Sequence, residues 1–295
     1  MNKKSNPAKN YQIAGAPEGI EPFIVSALAE GRALTDIWSQ ADSTLSPRDV
    51  IFVARDDVHL ARISETLSFF APALDIMTFP AWDCLPYDRV SPRADIIGQR
   101  IKTLTQLLDH QKPSKNKPGK VLLTTVSAIL QRVPPREAFA EATMHIALNQ
   151  RLDPDILIAY LNLHGYGRAE TVMEPGEFAV RGGILDVFPS GYETPFRLDF
   201  FGDELETIRA FDPTTQRTTH QAKTLAFKPI SEINLDEASI SRFRSAYRKL
   251  FGAVAKEDPL YESISAGRRH MGMEHWLALF YDSLDTIFDY LPGAA

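Results

Sequence analysis

The sequence predicts an α/β protein: a parallel-sheet lobe, a second, smaller α+β domain, and a closing helical segment. Three observations carry that expectation. From Tyr11 to about Arg132, short apolar runs alternate with amphipathic stretches, the pattern of a parallel sheet with helices packed on it. From about Glu141, two-residue alternation punctuated by glycine and proline takes over, which signals antiparallel strands. From about Ser231 the helical period returns. The expected divisions are therefore 11–140, 141–229 and 230–295, and a hydrophobic content of 44% is enough to build a core in each domain.

In chain order, Asp49 to Ala54 (DVIFVA) reads as a buried strand, with Asp56 and Asp57 as candidate N-caps for a helix through Phe70. Leu74 to Phe79 is the next strand, ended by Pro80, and the segment PAWDCLPYDRVSP leads to Arg93. Ile96, Ile97, Ile101, Leu104, Leu107 and Leu108 then form a helical stripe. His110 to Lys120 (HQKPSKNKPGK) has the composition of a solvated loop, with a phosphate-contacting patch as the alternative. Val121 to Thr124 is a further strand and Pro154 to Leu163 a helix. Gly182 and Gly183 are expected to form a bulge between strand pieces. Beyond them the phase is clear: Phe196, Leu198 and Phe200 share a core face, while Arg197, Asp199 and Phe201 share an accessible one. Ile240, Phe243, Tyr247, Leu250 and Phe251 are spaced for one buried stripe.

Composition excludes several functions. With 32 basic and 38 acidic residues the net charge is −6, so the surface as a whole is no trap for nucleic acid. A single cysteine, Cys84, forms no internal disulfide framework, and no apolar run approaches the ~20 residues of a membrane span. A cytoplasmic protein without a membrane fits best. The start, MNKKSNPAKN, has no apolar stretch behind its lysines and reads as a tail.

A nucleotide-binding lobe needs a glycine-rich phosphate loop after its first strand, with a lysine for the phosphates and a hydroxyl for magnesium. The sequence there is GAPEGIEP. Aligned from Gly15, the second glycine is Ile20, the lysine is Glu21 and the hydroxyl position is Pro22. A carboxylate repels phosphate and proline lacks a backbone donor, so no nucleotide cofactor is expected. His270 and His275 stand five apart instead of four, against a metal pair. Cys84 suits packing better than nucleophilic attack, and Glu204 with Glu206 beside the expected hairpin turn suit solvation. No catalytic constellation emerges.

The stretches WDCLPYDRVSPRADIIGQRIKTLTQLL and VLLTTVSAILQRVPP, and above all MEPGEFAVRGGILDVFPSGYETPFRLDFFGDELETIRAFDPTTQRT, resemble the UvrB-homology module of the transcription-repair coupling factor (Mfd) family, over about Tyr11 to Leu291. UvrB shares the GEFAVRGGILDVFP and RLDFFGDELE blocks and is the competing resemblance, which would imply an ATP-dependent damage-recognition helicase lobe. Two departures separate them. UvrB has an intact phosphate loop, and it carries a long aromatic hairpin where only 33 residues lie here between Tyr87 and Val121.

The resemblance implies a degenerate RecA-like lobe, an inserted smaller α+β domain that binds UvrA, and the start of a segment packing back on the first lobe. It further implies that the translocase and the RNA-polymerase-binding and double-stranded-DNA-binding parts lie beyond this chain, which would then be truncated. UvrA contacts carry over to Arg181 in VRGG and to Arg197 and Phe201 in RLDFF. The residues alone leave an ordinary alternative: Arg181 and Arg197 paired with Asp199 or Glu177, and Phe201 packed beneath the Gly202 turn.

Overall fold

A computed structural model describes residues 13, 15, 17, 19–32, 46–108, 117–140, 142–252, 258–292 and 294. The expected tail and His110 to Asn116 of the basic loop lie outside the described residues. The chain mixes helices with several sheets. Its first part runs α1 (Glu21–Glu30), β1 (Val50–Ala54), α2 (Asp57–Phe70), β2 (Ile76–Phe79), α3 (Ala94–Leu108), β3 (Val121–Thr125), α4 (Val126–Ile129) and α5 (Arg136–Ala140). β1 and β2 both pair in parallel with β3, giving the order β1-β3-β2. Of the two candidate caps, Asp56 is the N-cap, accepting from the His59 amide at 2.8 Å, and Asp57 opens the helix. Ile63 and Leu67 of α2 pack with Val121 and Leu123, while Ile101, Leu104 and Leu107 of α3 pack with Met77, Phe79 and Leu122. Gly119 is required sterically, since a Cβ there would meet the Arg48 carbonyl oxygen at 1.8 Å.

The second part follows as β4 (Met144–Ala147), α6 (Pro154–Leu163), β5 (Gly167–Arg168), β6 (Glu177–Arg181), β7 (Ile184–Val187), β8 (Phe196–Phe201), β9 (Glu204–Phe211), β10 (Thr218–Gln221) and β11 (Thr224–Phe227). Helix α6 has the expected span. Six strands form one sheet in the order β10-β9-β8-β7-β6-β5, and β11 pairs with β4. The meander is antiparallel except for the β5–β6 pair. Leu157 and Leu161 of α6 cover its inner face, against Phe178, Leu185, Phe196, Leu198 and Leu205.

Gly182 and Gly183 are no bulge. Arg181 pairs directly with Ile184, so the two glycines form a tight hairpin turn, with Gly182 at φ +60°, a conformation glycine adopts without a Cβ penalty. Register irregularities fall instead between β8 and β9, at Asp199/Phe200, and between β9 and β10, at Thr218/His220.

The last part comprises α7 (Glu237–Phe251), α8 (Pro259–Ser265), a 3-10 helix at Met273–Leu279, and α9 (Ile287–Tyr290). The expected stripe on α7 holds only in part. Phe243 and Tyr247 are buried, whereas Leu250 and Phe251 remain 62% and 52% exposed. The 3-10 helix and α8 close over the middle of α7, and Phe251 reaches only their rim, edge-on to Trp276 at 5.5 Å. The chain then returns to the first sheet. Val133 bridges Asp285, the Tyr290 hydroxyl donates to the Pro134 carbonyl at 2.9 Å, and Ile287, Tyr290 and Leu291 join the Phe79 cluster.

A candidate docking face

Strand β8 alternates as its sequence demands. Phe196 and Leu198 are buried and Phe200 packs against the same core, so Arg197, Asp199 and Phe201 point to the opposite face of the sheet. Directly opposed residues of an antiparallel pair share a face. Arg197 faces Asp186 on β7, Asp199 faces Ile184, and Ile184 in turn faces Arg181 on β6. The structure thus brings Arg181, Arg197 and Phe201 onto one outer face.

Their environments differ. Arg197 Nε and Nη2 donate to Asp186 Oδ1 and Oδ2 at 2.7 and 2.8 Å, and its guanidinium lies 4.9 Å from the Phe211 ring centroid. The Asp186 hydrogen bonds raise the arginine pKa further above its ordinary value. Asp186 is only 2% exposed. The alternative pairing with Asp199 or Glu177 is not what forms: Asp199 accepts instead from Arg209 and Thr207, and Glu177 accepts from the Met173 and Glu174 amides. Arg181 is exposed and donates to the Glu170 carbonyl at 2.5 Å and to the Thr171 hydroxyl at 3.3 Å. Phe201 is 75% exposed, so it does not pack beneath the Gly202 turn.

Half of this outer face is covered, because Val172 packs over Ala179, Phe188 and Phe211. The half bearing Arg181, Ile184 and Phe201 is open, and Ile184 is itself 38% exposed. Sequence reasoning missed Asp186 as the partner of Arg197. Reading the two glycines as a hairpin would have exposed it, since ILDV then places Ile184 and Asp186 outward in register with Asp199 and Arg197.

At the segment aligned with a phosphate loop, Ile20 is the N-cap of α1 without a side-chain cap, Glu21 stands in the first turn, and Pro22 is buried. Gly15 has φ +68°, and residues 14, 16 and 18 lie outside the described residues. Glu21 Oε1 lies 3.8 Å from His59 Nε2. The positive end of the α1 dipole therefore already carries a carboxylate. Among the described residues no group of His, Cys, Asp and Glu could hold a metal ion, and no helix is long and apolar enough to cross a membrane.

Residues 144–232, which contain this face, match the family model of the UvrB interaction domain. The chain is 36% identical over 265 residues to the transcription-repair-coupling factor of Haemophilus influenzae, covering 90% of this chain and 22% of that protein. With the Escherichia coli transcription-repair-coupling factor it shares 36% identity over 285 residues, covering 94% of this chain and 24% of the relative. The Bacillus subtilis transcription-repair-coupling factor is 25% identical over 305 residues, covering 98% and 25%. The chain therefore spans a quarter or less of the length of these relatives.

Proposed function

We propose that this relative of the transcription-repair-coupling factors, with its UvrB interaction domain at residues 144–232, is a non-catalytic docking module of transcription-coupled repair that recruits UvrA. The observation that carries the reading is the open half-face of the sheet, where Phe201 is 75% exposed beside Arg181. Aromatic residues and arginine dominate interface hot spots, because a planar donor fork and a rigid apolar ring gain most when water is excluded. Arg181, Arg197 and Phe201 are the UvrA-facing residues of this reading. Arg197 acts there mainly from within its pair with Asp186.

The rest of the reading follows the family. The first lobe is a degenerate RecA-like domain, an assignment supported by the parallel order β1-β3-β2. Glu21 at the head of α1 argues against nucleotide binding there. The division at 11–140, 141–229 and 230–295 belongs to the same reading, supported by separate core clusters around Leu104, Phe178 and Phe243. ATP-driven translocation on double-stranded DNA and contact with RNA polymerase would belong to parts of a full-length protein beyond this chain.

Calorimetric titration with purified UvrA tests the docking reading. Phe201→Ala and Arg181→Ala should each weaken binding by roughly 5- to 150-fold, the equivalent of ~1–3 kcal/mol, with melting unchanged. Glu193→Ala, in the exposed loop before β8, should bind as the unaltered chain does. Full affinity in both variants, with intact melting, would place the docking surface elsewhere.

A further inference from the structure

The outer face does not end at β9. The segment preceding α6 adds to the sheet there: the Leu205 amide donates to the Gln150 carbonyl at 3.0 Å, and the Leu152 amide donates to the Asp203 carbonyl at 2.7 Å. These bonds flank an antiparallel bridge between Arg151 and Glu204. Glu204 is in turn the register partner of Phe201. Since opposed residues share a face, Phe201, Glu204 and Arg151 form one row across the open half of the sheet.

Arg151 is exposed. Among the described residues its guanidinium has neither a hydrogen bond nor an ion pair. That distinguishes it from its neighbours on the same face, where Arg197 is held by Asp186 and Arg209 by Asp199. Four strand spacings separate β6 from the Arg151 segment, roughly 19 Å at ~4.8 Å each. The open half-face therefore has an arginine at either margin, Arg181 and Arg151, with the exposed side chains of Ile184 and Phe201 between them.

We propose that Arg151 is a further contact residue of the docking face, and that the partner presents two acidic sites flanking an apolar patch. The inference rests on the reading of this face as the UvrA surface. Ion pairing supports it: an unengaged arginine loses no internal bond when it meets a carboxylate, whereas Arg197 would have to share or leave Asp186. The apolar centre supplies the water-excluding area that makes flanking charges count.

The test is titration of UvrA against Arg151→Ala, Arg151→Glu and Arg181→Ala in the same buffer, followed at rising salt. Because the Arg151 side chain has no internal polar partner, Arg151→Ala should melt like the unaltered chain, while Arg151→Glu, which sets a carboxylate opposite Glu204, should melt slightly lower. Arg151→Ala should weaken binding about 3- to 10-fold and Arg151→Glu more strongly, with the difference shrinking as salt screens the contact. Loss at Arg181 with full affinity in both Arg151 variants would overturn the inference while leaving the UvrA reading in place. Full affinity in all three and in Phe201→Ala would overturn both. Loss at Arg151 alone would support the contact and shift the centre of the face towards β9.

Discussion

Arg197 and Phe201 stand on the same side of one strand, yet their surroundings assign them different work. Phe201 has little protein around it, so its removal leaves the fold almost untouched and its value lies in what it meets. Arg197 neutralises a carboxylate that is 2% exposed. Taking it away leaves Asp186 buried beside Phe211 without its donors, a desolvation cost of roughly 1–3 kcal/mol. We expect Arg197→Ala to lower unfolding stability by that amount in a denaturant titration, and Arg197→Met combined with Asp186→Leu to recover most of it. Unfolding of Arg197→Ala at the same denaturant concentration as the unaltered chain would mean that the pair contributes nothing. The residue would then act only as a contact. Any binding loss in that variant has to be read beside its stability.

At the scale of elements, the end of α6 couples the strand-rich part to the last helical part. His164 terminates the helix, its carbonyl accepts from the Ile230 amide at 3.0 Å, and its Nδ1 lies 3.1 Å from Asn234 Oδ1. Its ring stacks at a tilt on Tyr160, 4.2 Å between centroids. Burial pushes the imidazole below its ordinary 6.5, a depression that the Asn234 hydrogen bond only partly opposes. Protons therefore bind more readily to the unfolded chain. Stability from this site is complete above about pH 6.5 and is lost as pH falls below it. Between about pH 7.5 and about pH 5.5, the unaltered chain should lose more melting temperature than His164→Gln, whose initial deficit should narrow. Parallel curves would clear His164 of the effect.

Across the whole molecule, one buried ion pair ties the first part of the chain to the segment that follows the strand-rich part. Arg100 on α3 is fully buried and Glu232, just after the strand-rich part, is 2% exposed. Arg100 donates to both Glu232 oxygens at 2.5 and 3.3 Å, and to the Pro80 carbonyl and the Gln131 side chain at 2.9 Å. Its guanidinium lies 4.2 Å from the Phe79 centroid. Tyr281 donates to the Glu232 carbonyl at 2.8 Å. Such a pair contributes less than its Coulomb attraction suggests, but breaking it strands a buried charge. Arg100→Leu should cost ~3–5 kcal/mol in urea unfolding, and Arg100→Leu with Glu232→Leu should restore most of that. A cost below about 1 kcal/mol for the single change would refute the tie.

Much of this was legible in the sequence because strand and helix periodicity are properties of the local backbone. The span of α6, the capping by Asp56 and the two faces of β8 follow from residues within a few positions of one another. That Arg197 and Phe201 share a face needed only the period of two. The placement of Arg181 beside them needed the hairpin at Gly182, and the expectation of a bulge there hid Asp186. Leu250 and Phe251 carried the right spacing for burial, but nothing local says how far α8 and the 3-10 helix extend over α7. The naming of UvrA came from resemblance, not from residue chemistry. The sequence by itself therefore determined the elements and their apolar faces, and carried the resemblance to the transcription-repair-coupling factors. Only the tertiary structure decided which arginines are engaged, Arg100 with Glu232 and Arg197 with Asp186, and which stand open, because the partner of a long charged side chain is set by strand register and by segments far away in the chain.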